Sequence, residues 1–213
     1  MGIVVKDLAK TIRHCDVLSD VTISADSGRI TGICGVNGSG KTMLLRAMAG
    51  LIRPTKGTIE IDGKILWRDI YFPKSIGILI ESPSFLDRYS GIRNLELIAS
   101  VKKCIGKDQI CAVMCAVGLD PDSKKKYKEY SLGMKQRLGI AAAIMEQPEI
   151  VLLDEPTIAL DSGGVALFQR IALQERKRGA TVVMSCHDRH VLKNLSDEIY
   201  YLESGRIVDH EVL

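Results

Sequence analysis

Two stretches of this sequence carry residues of the type and spacing needed to work on a phosphate. The first is Gly35-Val36-Asn37-Gly38-Ser39-Gly40-Lys41-Thr42, which fits the phosphate-cradling pattern G-x-x-x-x-G-K-[ST] at every fixed position. Its glycines let the backbone curl so that N–H groups point at phosphate oxygens. A helix start behind the loop adds partial positive charge. Lys41 then reaches the β- and γ-phosphates, and the Thr42 hydroxyl is a ligand for Mg2+. The second stretch is Asp154-Glu155, directly after the apolar run 150–153. There Asp154 is placed to hold Mg2+, directly or through water, and Glu155 to orient and deprotonate an attacking water. His187 follows another expected strand, 181–185, and that position turns it towards a γ-phosphate. Together these residues imply a nucleoside triphosphate ligand. Ser131-Leu132-Gly133-Met134 is a weaker candidate, because a Ser-capped helix start is an anion site but is more often only a cap.

Strands and helices must bring these residues together. The phosphate loop lies between an expected strand, 29–34, and a helix, 43–49, closed by Gly50. Before it, 3–5 and 17–24 read as strands. After it, 58–61 and 64–66 form a hairpin around Asp62-Gly63, and 76–80 is a short buried strand. The character then changes. Residues 91–101 and 107–117 are helical by period, and Ser131 caps a long helix to about Met145. The last third alternates: strand 150–153, helix 163–178, strand 181–185, helix 188–195, then a hairpin of 199–202 and 206–208. Such alternation implies a parallel sheet with helices on its faces, whose ligands sit beyond the carboxyl ends of the strands. Gly35, Asp154 and His187 all follow strand ends, so one site can hold them.

The bulk properties narrow the function. At 213 residues this reads as one domain. Hydrophobic content of 46%, charged content of 26% and net charge +3 describe an ordinary globular protein and give no argument for a nucleic-acid partner. Lys124, Lys125, Lys126 and Lys128 form the one dense basic run, expected to be a solvated loop. No apolar run approaches the roughly 20 residues of a membrane-spanning helix, and Lys6 and Asp7 interrupt any signal-peptide pattern, so a cytosolic place is expected. The six cysteines form no CxxC pair. Cys111 and Cys115 are expected on one helix face with Met114, packed in a core. His14, His190 and His210 have no strand-end placement and are expected at the surface.

The order of motifs resembles the nucleotide-binding subunits of ATP-binding cassette (ABC) transporters: residues 35–42, a helical insertion, Tyr130-Ser131-Leu132-Gly133-Met134, Asp154-Glu155-Pro156-Thr157, Leu160-Asp161 and His187. The resemblance covers essentially the whole chain. It implies an α/β P-loop NTPase fold of RecA-like type: a mostly parallel sheet with an antiparallel β-subdomain and an inserted helical subdomain. Residues 1–83 and 141–213 would form the core with the β-subdomain, and 84–140 the helical subdomain. It implies an ATPase using ATP and Mg2+. Ser131 and Gly133 match the signature that contacts the γ-phosphate of an opposite subunit, Asp161 the loop across that interface, and His187 the switch histidine. Two copies would pair head to tail, and a separate transmembrane permease would place the chain on the inner face of the membrane. A soluble ABC-type assembly or regulatory factor is the alternative; a small-molecule kinase would leave Asp154-Glu155, Ser131 and His187 unexplained.

Three features depart from the family pattern. Ile12 stands where an aromatic usually stacks on adenine, which leaves ATP against GTP open, with His14 as a possible substitute. Glu81 stands where a Gln usually ends the strand before the insertion; it adds negative charge near Mg2+ and is a candidate metal ligand. Leu132 and Met134 replace the usual Gly and Gln of the signature. Glu81 with the Tyr-Ser-Leu-Gly-Met stretch is similar to cassettes of exporters that protect bacteria against lantibiotics and bacitracin, which implies a role in antibiotic resistance. The segment 81–94 resembles the region that meets the membrane partner.

Overall fold

The computed structural model describes residues 2–213. Ten strands and six α-helices build two sheets among these residues. The N-terminal part supplies β1 (Ile3–Ile12), β2 (Cys15–Ala25), β4 (Lys56–Ile61) and β5 (Lys64–Ile65), an antiparallel sheet of order β2-β1-β4-β5. Strand β1 runs well past the expected 3–5, whereas β2 exceeds the expected 17–24 by only a residue or two at each end. Their pairing slips between Val5 and Leu8, where Asp7 (φ 50°) is left-handed, and again between Leu8 and Lys10, where Asp20 (φ 55°) on β2 is left-handed. Such bulges break the two-residue alternation by which a strand is read from sequence.

The second sheet has the order β10-β9-β3-β8-β7-β6, built from β3 (Ile30–Cys34), β6 (Ile76–Leu79), β7 (Ile150–Asp154), β8 (Thr181–Cys186), β9 (Glu198–Glu203) and β10 (Arg206–Val212). Strands β9, β3, β8, β7 and β6 are mutually parallel, and only the edge strand β10 is antiparallel. Parallel strands are covered on both faces and so read as unbroken apolar runs. In β7, Val151 and Leu153 enter one core while Ile150 and Leu152 enter the other. The first core lies under the helices of the middle and last thirds. The second lies between this sheet, α1 (Lys41–Met48) and the antiparallel sheet. The expected α/β fold with an antiparallel β part and an intervening helical part is the one observed.

Helices α2 (Gly91–Lys102), α3 (Lys107–Ala116) and α4 (Leu132–Ile144) follow the expected boundaries to within a residue or two. Ser90 and Ser131 cap α2 and α4, accepting from the N–H of Arg93 and Met134. The end of α4 lies against β6 so closely that a Cβ on Gly77 would overlap the Ala143 carbonyl oxygen. Two further helices, α5 (Ser162–Lys177) and α6 (Arg189–Lys193), flank β8 in sequence. The expected helix 188–195 contracts to the five residues of α6, because Asp188 is its cap, accepting from His190 and Val191 N–H. One expectation about α3 fails. Ile110, Met114 and Val117 form its buried stripe, while Cys111 is half-buried and Cys115 exposed. The cysteines lie about 100° around the helix from that stripe. The lysines 124, 125, 126 and 128 are exposed, as expected.

Candidate functional site

Register assembles the site. In the parallel sheet Cys34 pairs with Cys186 and Asp154 with Ser185. The residues one step beyond these ends, Gly35, His187 and Glu155, therefore emerge side by side at the carboxyl edge. Burial pushes the Cys34 and Cys186 thiols above their ordinary pKa, so both are neutral, packed groups beneath that edge.

The loop 35–40 leaves β3 and enters α1. Gly38 (φ 81°) and Gly40 (φ 108°) take left-handed conformations that turn its N–H groups inward. Lys41, the first residue of α1, is buried and folds back, donating to the carbonyls of Gly35 (2.6 Å) and Val36 (3.2 Å). Its Nζ also lies 3.2 Å from Glu155 Oε1. The next residue, Thr42, donates its hydroxyl to Asp154 Oδ2 at 2.6 Å, and Ser185 donates to Oδ1 at 2.5 Å. Asp154 thus points at the start of α1 with both oxygens fixed.

Glu155 is held from three sides. Its backbone turns left-handed (φ 47°), and its N–H donates to Ser185 Oγ at 3.0 Å. Gln136, buried on α4, donates to the carbonyls of Glu155 (3.3 Å) and Pro156 (3.2 Å). The carboxylate spans two partners: Oε1 faces Lys41, and Oε2 lies 2.8 Å from His187 Nδ1. His187 is itself exposed, its side chain 58% accessible, with the ring free to meet a ligand on its outer side. A cavity over the loop is lined by Val17, Asn37, Gly38, Gly40, Lys41, Thr42, Met43 and Glu155. Val17 borders that cavity, while Ile12, exposed at the end of β1, is not among its lining residues.

The remaining candidates gather elsewhere. Ser131 and Gly133 share a second cavity with Leu132, Met134, Ala159 and Asp161. Ser131 Oγ accepts from Met134 N–H at 3.2 Å, and Asp161 caps α5 through Gly164 N–H (2.8 Å) while pairing with Arg137 at 3.2 Å. This cavity lies apart from the phosphate loop within one chain. Glu81 borders a third cavity with Asp154, Glu155 and Gln136, but its carboxylate is paired with Arg46 at 2.6 Å. Sequence reasoning missed Ser185, Gln136, Val17 and Arg46. Ser185 carried a signal, as a polar residue in the otherwise apolar run Val182-Val183-Met184.

The sequence profile of ABC transporters matches residues 18–158. The chain belongs to the ABC transporter family. It is 44% identical over 207 residues to an ABC transporter ATP-binding protein of Bacillus subtilis, YybJ, covering 97% of this chain and 95% of that one. It is 33% identical to the bacitracin transport ATP-binding protein BcrA of Enterococcus faecalis, over 96% of this chain and 67% of the relative. Against the lantibiotic transport ATP-binding protein SrtF of Streptococcus pyogenes it is 30% identical, covering 96% and 88%. A dimeric ATP-binding cassette solved after hydrolysis, with ADP and Pi bound, superposes with a TM-score of 0.89 at 25% identity, over 99% of this chain and 98% of that one. The ABC ATP-binding subunit is thus an ATPase with the P-loop fold, and its likeness to peptide-antibiotic transport cassettes is borne out.

Proposed function

We propose that this ABC subunit works as half of a head-to-tail dimer and drives export through a separate transmembrane permease. The observation that carries the reading is the chain of contacts Thr42–Asp154 and Lys41–Glu155–His187 at three adjacent strand ends. It puts a phosphate cradle, a metal-binding pair, a base and a histidine within one small volume. The donors suit a hard cation, since the Thr42 hydroxyl and Asp154 carboxylate are oxygen ligands 2.6 Å apart. These two would hold Mg2+, which when bound offsets charge on the β- and γ-phosphate oxygens. The N–H groups of residues 35–42 cradle the phosphates, and Lys41 exchanges its contacts with Gly35, Val36 and Glu155 for phosphate oxygens. Glu155 accepts a proton from the attacking water. His187, oriented through Nδ1 by Glu155, presents its other nitrogen to the γ-phosphate.

Ser131 and Gly133 lie in their own cavity, reached by no contact from the loop of the same chain among the contacts described above. In a head-to-tail pair they complete the γ-phosphate site of the partner copy, with Asp161 at the seam. ATP then closes the pair and hydrolysis opens it. The relative solved as a dimer with ADP and Pi supports this arrangement.

Residues 84–140 serve as a helical subdomain inserted into a core of 1–83 and 141–213, and the segment 81–94 meets the permease. Leu86 and Tyr89 within it are exposed apolar side chains, as a docking surface needs. Among the described residues no helix is long and apolar enough to cross a membrane. The bacitracin and lantibiotic relatives support export and a role in resistance, with the subunit peripheral on the inner membrane face. Co-purification of the tagged chain from membranes tests the transport reading. A polytopic protein of about six spanning helices should accompany it. Recovery only as a soluble protein, with a cytosolic partner, would favour an assembly or regulatory factor instead.

A further inference from the structure

Glu81 is the third carboxylate on the cavity that also holds Asp154 and Glu155. Each of the three has a different partner. Asp154 takes hydroxyls from Thr42 and Ser185, Glu155 takes Lys41, and Glu81 takes the guanidinium of Arg46 at 2.6 Å. Arg46 lies on α1, four residues beyond Thr42, so the two side chains occupy one face of that helix a single turn apart. The cation that neutralises Glu81 therefore rides on the helix that carries the metal-binding hydroxyl. Glu81 itself stands just past the end of β6 with a left-handed backbone (φ 62°), a conformation that a side chain with a Cβ adopts at a cost and keeps only when its surroundings hold it.

The pair is well exposed, at 33% for Arg46 and 59% for Glu81. Exposed pairs of this kind are weak, so a divalent cation in the cavity can compete for the carboxylate. The remaining charges on that cavity, Asp154 and Glu155, are both negative, and Lys41 is committed to the loop carbonyls and Glu155.

We propose that Arg46 is a positioning residue that holds Glu81 back from the cation site and so sets how much Mg2+ the subunit needs. With the cation bound, Glu81 would be free to exchange Arg46 for the metal as an oxygen ligand. The proposal rests on Thr42 and Asp154 holding Mg2+.

The test measures Mg2+ binding directly, by the fluorescence of a methylanthraniloyl ATP analogue titrated with Mg2+ in the intact chain, and by the paramagnetic resonance signal of Mn2+ displaced from solution. In Arg46→Met, which keeps the aliphatic stem and the helix propensity, half-saturating Mg2+ should fall about tenfold, the effect of one uncompensated charge in a partly hydrated site. In Glu81→Gln the requirement should rise, and adding Arg46→Met to Glu81→Gln should produce no further shift. Arg46→Lys, which keeps the charge, should stay within about twofold of the wild type. A change of less than twofold in Arg46→Met, or an equal shift in the Glu81→Gln background, or a shift in Arg46→Lys as large as in Arg46→Met, overturns the proposal. Asp154→Asn is the control on its foundation. If that variant binds Mg2+ normally, the metal assignment fails; if it weakens Mg2+ binding while Arg46→Met does nothing, only the role of Arg46 fails.

Discussion

Replacing Glu155 by Gln removes one charge and almost no volume from the cluster at the strand ends. The amide oxygen can still accept from Lys41, now 3.2 Å from the carboxylate, and the amide N–H can donate to His187 Nδ1, now 2.8 Å away. The hydrogen bonds that fix the backbone, from Glu155 N–H to Ser185 Oγ and from Gln136 to the Glu155 carbonyl, do not involve the side chain at all. Geometry should therefore survive, and what disappears is the proton acceptor. A positioned base contributes about 10²- to 10⁴-fold, which is about 2.7 to 5.5 kcal/mol on the barrier at 1.36 kcal/mol per decade. Turnover should fall by at least ~100-fold. ATP affinity should hold or rise, because a carboxylate no longer faces the γ-phosphate and the competing partner of Lys41 becomes an uncharged, weaker acceptor. The assay pairs single-turnover phosphate release with equilibrium binding of labelled ATP, and follows dimer formation by light scattering. A dimer that accumulates with ATP and hydrolyses it slowly fits the reasoning. Turnover within tenfold of the wild type would remove Glu155 as the base, and loss of ATP binding would show that its contact with Lys41 is structural instead.

Ser131→Ala removes the cap of α4, which costs about 1 kcal/mol and should lower the melting temperature by about 2–4 °C for a chain of this size. It should also abolish ATP-driven dimerisation; a melting shift without that loss would reduce Ser131 to a cap. Gly77→Ala puts a methyl into the Ala143 carbonyl and should destabilise the chain by about 3 kcal/mol in a urea titration, whereas a neutral result would mean that α4 slides freely on β6. Glu211 is held down to about 2, from an ordinary 4.5, by Lys193 first, then by Tyr201 and Arg189. Its folded value lies below the unfolded one, so its contribution is complete above pH 4.5 and drains away as pH falls towards 2. Melting temperatures of Glu211→Gln and wild type should differ at neutral pH and converge as acid enters that window; parallel curves throughout would count against the cluster.

The legible and illegible parts of this molecule divide along a physical line. Residues whose role depends on chain-local geometry were readable. The loop glycines, the Ser131 cap and the position of Asp154 after β7 all follow from a few neighbouring residues. The order of the five motifs then made the family readable as well. What escaped were contacts between elements distant in sequence. Arg46 and Glu81 are 35 positions apart, and Gln136 reaches Glu155 across 19. No periodicity records such a pairing. The length of β1 escaped for a related reason: the slip at Asp7 interrupts its alternation, so the strand appears to stop at Val5. The cysteines of α3 were misjudged because spacing alone fixes which residues share a face, and only the neighbouring helices decide which face is covered.

The strand order has a consequence for how the chain is made. Strand β3, which launches the phosphate loop, lies between β8 and β9 in the finished sheet. Both neighbours are encoded more than 150 residues later. At about 5–20 residues per second of synthesis, β3 leaves the ribosome roughly ten seconds or more before either edge can be paired. During that interval its backbone donors and acceptors, and its apolar side chains Ile30 and Ile33, have only non-native company. The nascent subunit should therefore depend on holding factors until its last third emerges. A chain truncated before β8 should aggregate rather than settle into a smaller nucleotide-binding fragment.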